Sequence, residues 1–253
     1  MHKYSYAFFL KQSKIDLDIT KIGEELLNAE NNIKIGTKYL ASLLEKYGNA
    51  EVAAEAEELV KNSQMNMYNT AGTAAKRSKD YAGAIENFTK VLEMDPTNGA
   101  AAFNLGDSYY RLKKFAEAET YLLQAKENGQ EKAANPRLAS ISLMKAKASL
   151  KAKNYQEALD NANASLGYDS TSAAYETAGD ALKGLGKDAE AIANYEQALP
   201  EAKPKAVNQL KYKIAAAAQA MGDKAKAIEY YNMILGDPNF AEFAKYQIAE
   251  LSK

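Results

Sequence analysis

The chain has 253 residues, 32 basic and 33 acidic side chains, a formal net charge of −1, no cysteine and a single histidine, His2. It lacks the clustered basic excess of nucleic-acid-binding domains, so no nucleic-acid partner is expected. The missing cysteines exclude disulfides and thiolate zinc sites, and one histidine excludes a multi-histidine metal site and a Ser-His-Asp triad. We therefore expect no cofactor.

The N-terminal quarter predicts helices without a clear repeat. Residues 1–28 are expected to form a helical segment, and residues 29–64 are expected to form a degenerate helix pair, broken at Tyr47-Gly48-Asn49. The apolar stretch "YAFFL" at 6–10 is too short for a signal peptide, and no apolar run approaches the ~18–20 residues of a membrane span. A cytoplasmic protein is expected, although an exported or periplasmic protein whose signal had been removed would give the same sequence.

From residue 65 onward, small residues recur in register. Five alanines are separated by 34, 40, 33 and 36 residues: Ala84, Ala118, Ala158, Ala191 and Ala227. Twelve places before each stands a second small residue: Gly72, Gly106, Ala146, Gly179 and Ala215. Seven places after each stands a third position: Val91, Ala125, Ser165, Ala198 and Ile234. Because seven residues make two helical turns, this spacing predicts helix pairs that touch along a seam of small side chains.

Turn and proline signals divide this region into units. The segments "RSKD" at 77–80, "GLGKD" at 184–188 and "MGD" at 221–223 predict tight turns inside a unit. Pro96, Pro136, Pro204 and Pro238 predict loops between units, because proline cannot continue a helix interior. The predicted repeats are 65–97, 99–131, 136–171, 172–204 and 205–238, and one amphipathic helix at 239–253 is expected to cap the last of them.

This pattern resembles the tetratricopeptide-repeat family. The resemblance is closest in "YNTAGTAAKRSKDYAGAIENFTKVLEMDP" (68–96) and "YETAGDALKGLGKDAEAIANYEQAL" (175–199), and it is good in "AFNLGDSYYRLKKFAEAETYLLQA" (102–125). The sequence departs from the family in having no tryptophan and in placing the repeat-ending proline only at Pro96. The resemblance implies an all-α fold, a right-handed superhelical solenoid of antiparallel helix pairs.

Motifs that carry chemistry are absent from the sequence. "GLGK" at 184–187 lacks the spacing and the Ser or Thr of a phosphate loop, and "DPTNG" at 95–99 lacks the later ligands of a calcium loop. The glutamates of the predicted second helices lie near lysines, as a solvated face requires. We therefore do not expect an enzyme.

The resemblance implies that the first helix of each repeat lines a concave groove that binds partner segments. The register places these candidate partner-binding residues there: Asn69, Phe103, Asn104, Asp107, Tyr110, Arg111, Lys147, Asp180 and Tyr212. Aromatic residues and arginine are enriched in binding hot spots, so Phe103, Tyr110 and Arg111 lead this set. Alternatively, Phe103 packs on a neighbouring repeat and Arg111 is merely solvated.

The sequence therefore predicts a non-enzymatic module or scaffold that binds a peptide or helical segment of a protein partner. The alternative is a structural subunit of a larger or self-associating assembly, such as a homo-oligomer.

Overall fold

The computed structural model of the protein describes residues 50–253, so the predicted elements at 1–49 lie outside the described residues. The chain divides into two compact units, residues 1–101 and 102–253, and each is described by itself. The described part of the first unit holds α1 (Ala50–Arg77), α2 (Tyr81–Met94) and the start of α3 (Gly99–Arg111).

The second unit continues α3 and adds a series of helix pairs. These helices are α4 (Phe115–Ala125), α5 (Glu131–Lys151), α6 (Tyr155–Tyr168), α7 (Ser172–Gly184), α8 (Asp188–Ala198), α9 (Pro204–Ala220), α10 (Lys224–Asn232) and α11 (Ala241–Leu251). We call α3, α5, α7 and α9 the first helices and α4, α6, α8 and α10 the second helices of their pairs. The predicted fold class, an all-α solenoid of helix pairs, is confirmed, and residues 50–253 contain no strand.

In the first unit, α1 and α2 meet at a glycine. A Cβ added to Gly72 would lie 2.9 Å from Cζ of Phe88, so α2 approaches α1 where α1 has no side chain. Ala84, Phe88 and Val91 of α2 are fully buried along this contact. Glycine inside a helix costs about 1 kcal/mol relative to alanine, and this close approach gives the physical reason for it.

The second unit repeats the same seam. A Cβ on Gly106 would lie 2.8 Å from Cγ of Leu122, and one on Gly179 would lie 2.5 Å from the ring of Tyr195. The other seam positions of this unit are less than 2% exposed: Ala118, Ala125, Ala146, Ala158, Ser165, Ala191, Ala198, Ala215, Ala227 and Ile234. The seam inferred from the spacing is therefore the buried core of each helix pair.

Each pair closes through a tight turn with one residue in the left-handed region. Glycine takes this conformation at Gly186 (φ 73°) and Gly222 (φ 81°). Lysine takes it at Lys79, Lys113 and Lys153, with φ of 64°, 60° and 61°. A side chain in this region costs roughly 1–2 kcal/mol, so three of the turns are strained.

The predicted loop at Pro136 is wrong. Helix α5 begins at Glu131, and Pro136 lies inside it. The break comes earlier, in the short π-helical turn Lys126–Gln130, where Gly129 has a φ of 83°. Glycine reaches this φ without strain, whereas Pro136 only removes one backbone donor near the start of the helix. As a result, α5 extends by more than one turn ahead of the predicted repeat at 136–171.

The predicted boundary between residues 64 and 65 is also wrong. Helix α1 runs without interruption from Ala50 to Arg77, so the end of the predicted pair at 29–64 and the first helix of the repeat at 65–97 are continuous. No glycine or proline occurs between residues 50 and 71 to break this helix.

Helix α11 packs on the last helix pair, with Ala244 fully buried and Phe240, Ile248 and Leu251 half-buried against the core. Phe243 is 43% exposed, and its ring contacts Tyr212 and Tyr231 edge-on. The order Lys-Tyr-x-Ile-Ala recurs from 211–215 to 245–249, which gives α11 the register of a further first helix.

Candidate partner-binding surface

We use the name first-helix face for eight predicted partner-binding residues of α3, α5, α7 and α9, together with six other side chains of the same helices. It belongs to the second unit and comprises Phe103, Asn104, Asp107, Tyr110, Arg111, Leu143, Met144, Lys147, Leu150, Glu176, Asp180, Lys183, Tyr212 and Lys213. Asn69, the remaining predicted residue, lies half-buried on α1 in the first unit and is not part of this face. Phe103 and Asn104 are half-buried on α3, and Lys147 is exposed on α5.

Asp107 connects two first helices. Its side chain is only 8% exposed, and its Oδ1 accepts a hydrogen bond of 2.8 Å from Arg137 Nε on α5. Arg111 Nε lies 3.7 Å from the same oxygen. A buried carboxylate needs such partners to offset its lost hydration. Asp107 is therefore held inside the protein by two guanidinium groups, and it presents no free charge to a partner.

Tyr110 is fixed from three sides. Its hydroxyl lies 2.8 Å from Ser140 Oγ, its ring meets Phe115 edge-on at 5.7 Å, and the Arg137 guanidinium lies 5.2 Å from the ring centre. The ring is half-buried, while the neighbouring Arg111 side chain is 48% exposed. An immobilised aromatic ring thus lies next to a solvated arginine that has one ionic contact.

A second polar group joins α7, α8 and α9. Lys213 Nζ donates to Glu176 Oε1 and to Asp180 Oδ2, each at 2.7 Å. The Tyr195 hydroxyl donates to Asp180 Oδ1 at 2.8 Å. Burial, with the Asp180 carboxylate beside it, raises the pKa of Tyr195 far above its ordinary value. Asp180 therefore has the same role as Asp107: it ties one first helix to the next.

Tyr212 lies in an aromatic cluster near α11. Its ring stacks on Phe240 at 5.4 Å and meets Phe243 edge-on at 5.6 Å. On the same two helices, Gln219 Nε2 donates to Gln247 Oε1 at 2.8 Å. Tyr212 is consequently a packing residue of the α9–α11 contact as well as a residue of the first-helix face.

Sequence reasoning missed Arg137, Ser140 and Lys213. The first two lie in the early turns of α5, inside the predicted repeat at 136–171, but the predicted groove positions did not include them. The Asn128-Gly129 dipeptide is a turn signal, and ending α4 there would have placed Arg137 on α5 opposite Asp107. Nothing local in the sequence indicates that Lys213 pairs with residues 33 and 37 places earlier.

Comparison with known families agrees with this geometry. Three tetratricopeptide-repeat models match residues 75–141, 172–199 and 209–239. The chain belongs to the tetratricopeptide-repeat family. Proteins built from these repeats are generally non-enzymatic interaction modules.

The tetratricopeptide-repeat chain is similar to a curated protein and to several solved structures. It is 33% identical over 75 residues to stress-induced-phosphoprotein 1 of Caenorhabditis elegans, a match that covers 30% of this chain and 23% of that protein. Among solved structures, it is 20% identical to MamA (TM-score 0.47, 69% of this chain and 92% of that chain). It is 16% identical to YrrB, a TPR protein with an unusual peptide-binding site (TM-score 0.45, 82% and 97%).

Two further observations concern membrane crossing and metal binding in residues 50–253. None of the helices in residues 50–253 combines the length and hydropathy that a bilayer crossing requires. Within the same residues, no group of three or more acidic, histidine or cysteine side chains is placed to hold a metal ion.

Proposed function

We propose that the first-helix face of the second unit binds a peptide or helical segment of a partner protein. The observation that carries this proposal is the pair of Tyr110 and Arg111, a fixed half-buried ring beside an exposed guanidinium. Aromatic residues and arginine dominate measured binding hot spots. A ring that is already immobilised loses little further freedom on binding, so more of its contact energy remains as affinity.

The polar links between helices support the same proposal. Arg137 and Lys213 fix the spacing of α3 to α5 and of α7 to α9 through hydrogen bonds of 2.7–2.8 Å. A partner segment that crosses these helices therefore meets side chains whose positions are set before binding.

The test removes the two leading residues. The full chain is used to capture proteins from a lysate, a captured partner is purified, and its affinity is measured by calorimetry for the wild type and Tyr110→Ala/Arg111→Ala. We expect the double variant to weaken binding by about thirtyfold or more, since a hot-spot residue contributes ~2 kcal/mol. Lys224→Ala/Met233→Ala, two exposed positions at α10, is the matched control and should bind as the wild type does. Equal affinity of the Tyr110/Arg111 variant would contradict the proposal.

A self-associating structural subunit is the second candidate, because α11 leaves two aromatic side chains exposed. Phe243 is 43% and Tyr246 62% exposed. In this case light scattering would show a mass that rises with concentration, and Phe243→Ser/Tyr246→Ser would abolish the rise. The Tyr110→Ala/Arg111→Ala variant would leave it unchanged.

A further inference from the structure

We propose that the partner segment carries an acidic residue between apolar residues, and that its carboxylate pairs with Lys147 where α5 meets α7. This inference rests on the proposed function and adds the chemistry of the bound segment.

The starting point is a repeated arrangement along the first-helix face. Asp107 and Asp180 occupy the same register position, one residue after Gly106 and Gly179. In each case a cation of the next first helix pairs with the carboxylate: Arg137 from α5 at 2.8 Å, and Lys213 from α9 at 2.7 Å. Thus an ion pair joins α3 to α5 and α7 to α9. In both, the acidic residue occupies the same register position and the base comes from the following first helix.

The junction between α5 and α7 breaks this arrangement. At the same register position α5 has Lys147, one residue after Ala146. On α7 the residue equivalent to Lys213 is Thr177, which is buried and donates its hydroxyl to Ala173 O in its own helix at 2.6 Å. Across residues 50–253, no side-chain hydrogen bond or ion pair joins α5 to α7, and Lys147 is exposed without an ionic partner. Lys147 therefore lacks the carboxylate that would complete an ion pair at this junction.

The surroundings of Lys147 indicate what accompanies that carboxylate. Leu143 and Leu150 lie one helical turn to either side of it and are half-buried, and Met144 is 37% exposed. A segment that covers these side chains displaces water from the lysine, which strengthens an ion pair formed there. Apolar residues beside the acidic residue fit this stripe.

The charge of the neighbouring helices favours an acidic segment on this face. Helices α4, α6 and α8 carry seven acidic side chains and no basic one: Glu117, Glu119, Glu157, Asp160, Asp188, Glu190 and Glu196. Helix α5 instead carries five basic side chains and one acidic side chain. An acidic segment is therefore repelled by α4, α6 and α8 and attracted toward α5.

The test is a peptide selection on the full chain. A random peptide library is selected separately on the wild type, on Lys147→Glu and on Lys224→Glu, an equivalent charge reversal on a second helix. The wild type should enrich Asp or Glu flanked by apolar residues, Lys147→Glu should instead enrich Lys or Arg there, and Lys224→Glu should reproduce the wild-type pool. One wild-type peptide, synthesised with an amidated C-terminus to exclude recognition of a terminal carboxylate, should lose tenfold or more affinity for Lys147→Glu. The same peptide with its acidic residue changed to lysine should bind Lys147→Glu with restored affinity.

The outcomes separate the two proposals. Peptides that lose binding to Tyr110→Ala/Arg111→Ala, but show no acidic enrichment and bind Lys147→Glu and the milder Lys147→Gln normally, overturn the inference and leave the proposed function standing. Failure to enrich any peptide, or peptides indifferent to Tyr110→Ala/Arg111→Ala, overturns the proposed function and the inference with it. Circular dichroism of each variant checks that the helices are retained.

Discussion

Replacing Gly106 by alanine tests the seam directly. A Cβ at this position would lie 2.8 Å from Leu122 Cγ, 3.1 Å from Leu122 N and 3.2 Å from Ala118 O. Two of these atoms belong to the backbone of α4, so the helix itself has to move. Such overpacking costs about 1–3 kcal/mol, whereas alanine gains about 1 kcal/mol over glycine in helix propensity. We expect Gly106→Ala to lower the free energy of unfolding by about 1 kcal/mol.

Gly167 provides the matched control. It lies in α6, and nothing in residues 50–253 comes within 4 Å of an added Cβ, so alanine there gains propensity without a clash. Urea and thermal unfolding, followed by circular dichroism, should show Gly167→Ala stabilised by up to about 1 kcal/mol and Gly106→Ala destabilised. A change of 1 kcal/mol corresponds to roughly 2–4 °C for a chain of this size. Equal stabilisation by both substitutions would refute the close approach of α3 and α4, provided that the slope of the unfolding free energy against urea concentration is unchanged.

Three further outcomes are expected from the same measurements. Ala118→Leu overpacks a fully buried seam position and should lower stability by about 1–3 kcal/mol, so an unchanged thermal midpoint would contradict the seam. Lys113→Gly relieves a φ of 60° and should stabilise by about 0.5–1 kcal/mol, whereas Lys114→Gly, at a φ of −86°, should not. Burial raises the pKa of both Tyr230 and Tyr231 from 10.0 to about 12. The stability that the two neutral tyrosines contribute is complete below pH 10 and should be lost as the pH rises toward 12. The urea midpoint of the wild type should therefore fall with pH over this range, and it should fall less steeply in Tyr230→Phe.

The seam was predictable from the sequence because only small residues fit there. Glycine inside a helix is unfavourable unless something occupies the space of its missing side chain, so Gly72, Gly106 and Gly179 at a fixed spacing indicate contact with another helix. The ends of helices were less predictable. Pro136 was expected to break a helix, but it lies inside α5. The break comes earlier, because Gly129 takes a left-handed conformation after α4 and a new helix begins beyond it.

The sequence predicted which helix carries each candidate residue. The register correctly places Tyr110 and Arg111 on α3 and Lys147 on α5, because position along a repeat follows from spacing alone. It does not show what each side chain contacts across the next helix. Asp107 and Asp180 had been expected to line the groove, yet both carboxylates are engaged by cations about 30 residues later in the chain, a separation that no local pattern indicates.

Some junctions between first helices contain an ion pair and one does not, and this difference affects how ligand binding changes stability. Links such as Asp107–Arg137 and Asp180–Lys213 hold first helices together in the free protein, so a ligand adds little to those junctions. Between α5 and α7, residues 50–253 supply no such link, and a bound carboxylate at Lys147 would provide one. A ligand that binds only the folded state stabilises it in proportion to the logarithm of its concentration. Protection from hydrogen exchange on binding should therefore be concentrated in α5 and α7, and a uniform increase along the second unit would argue against a local link at Lys147.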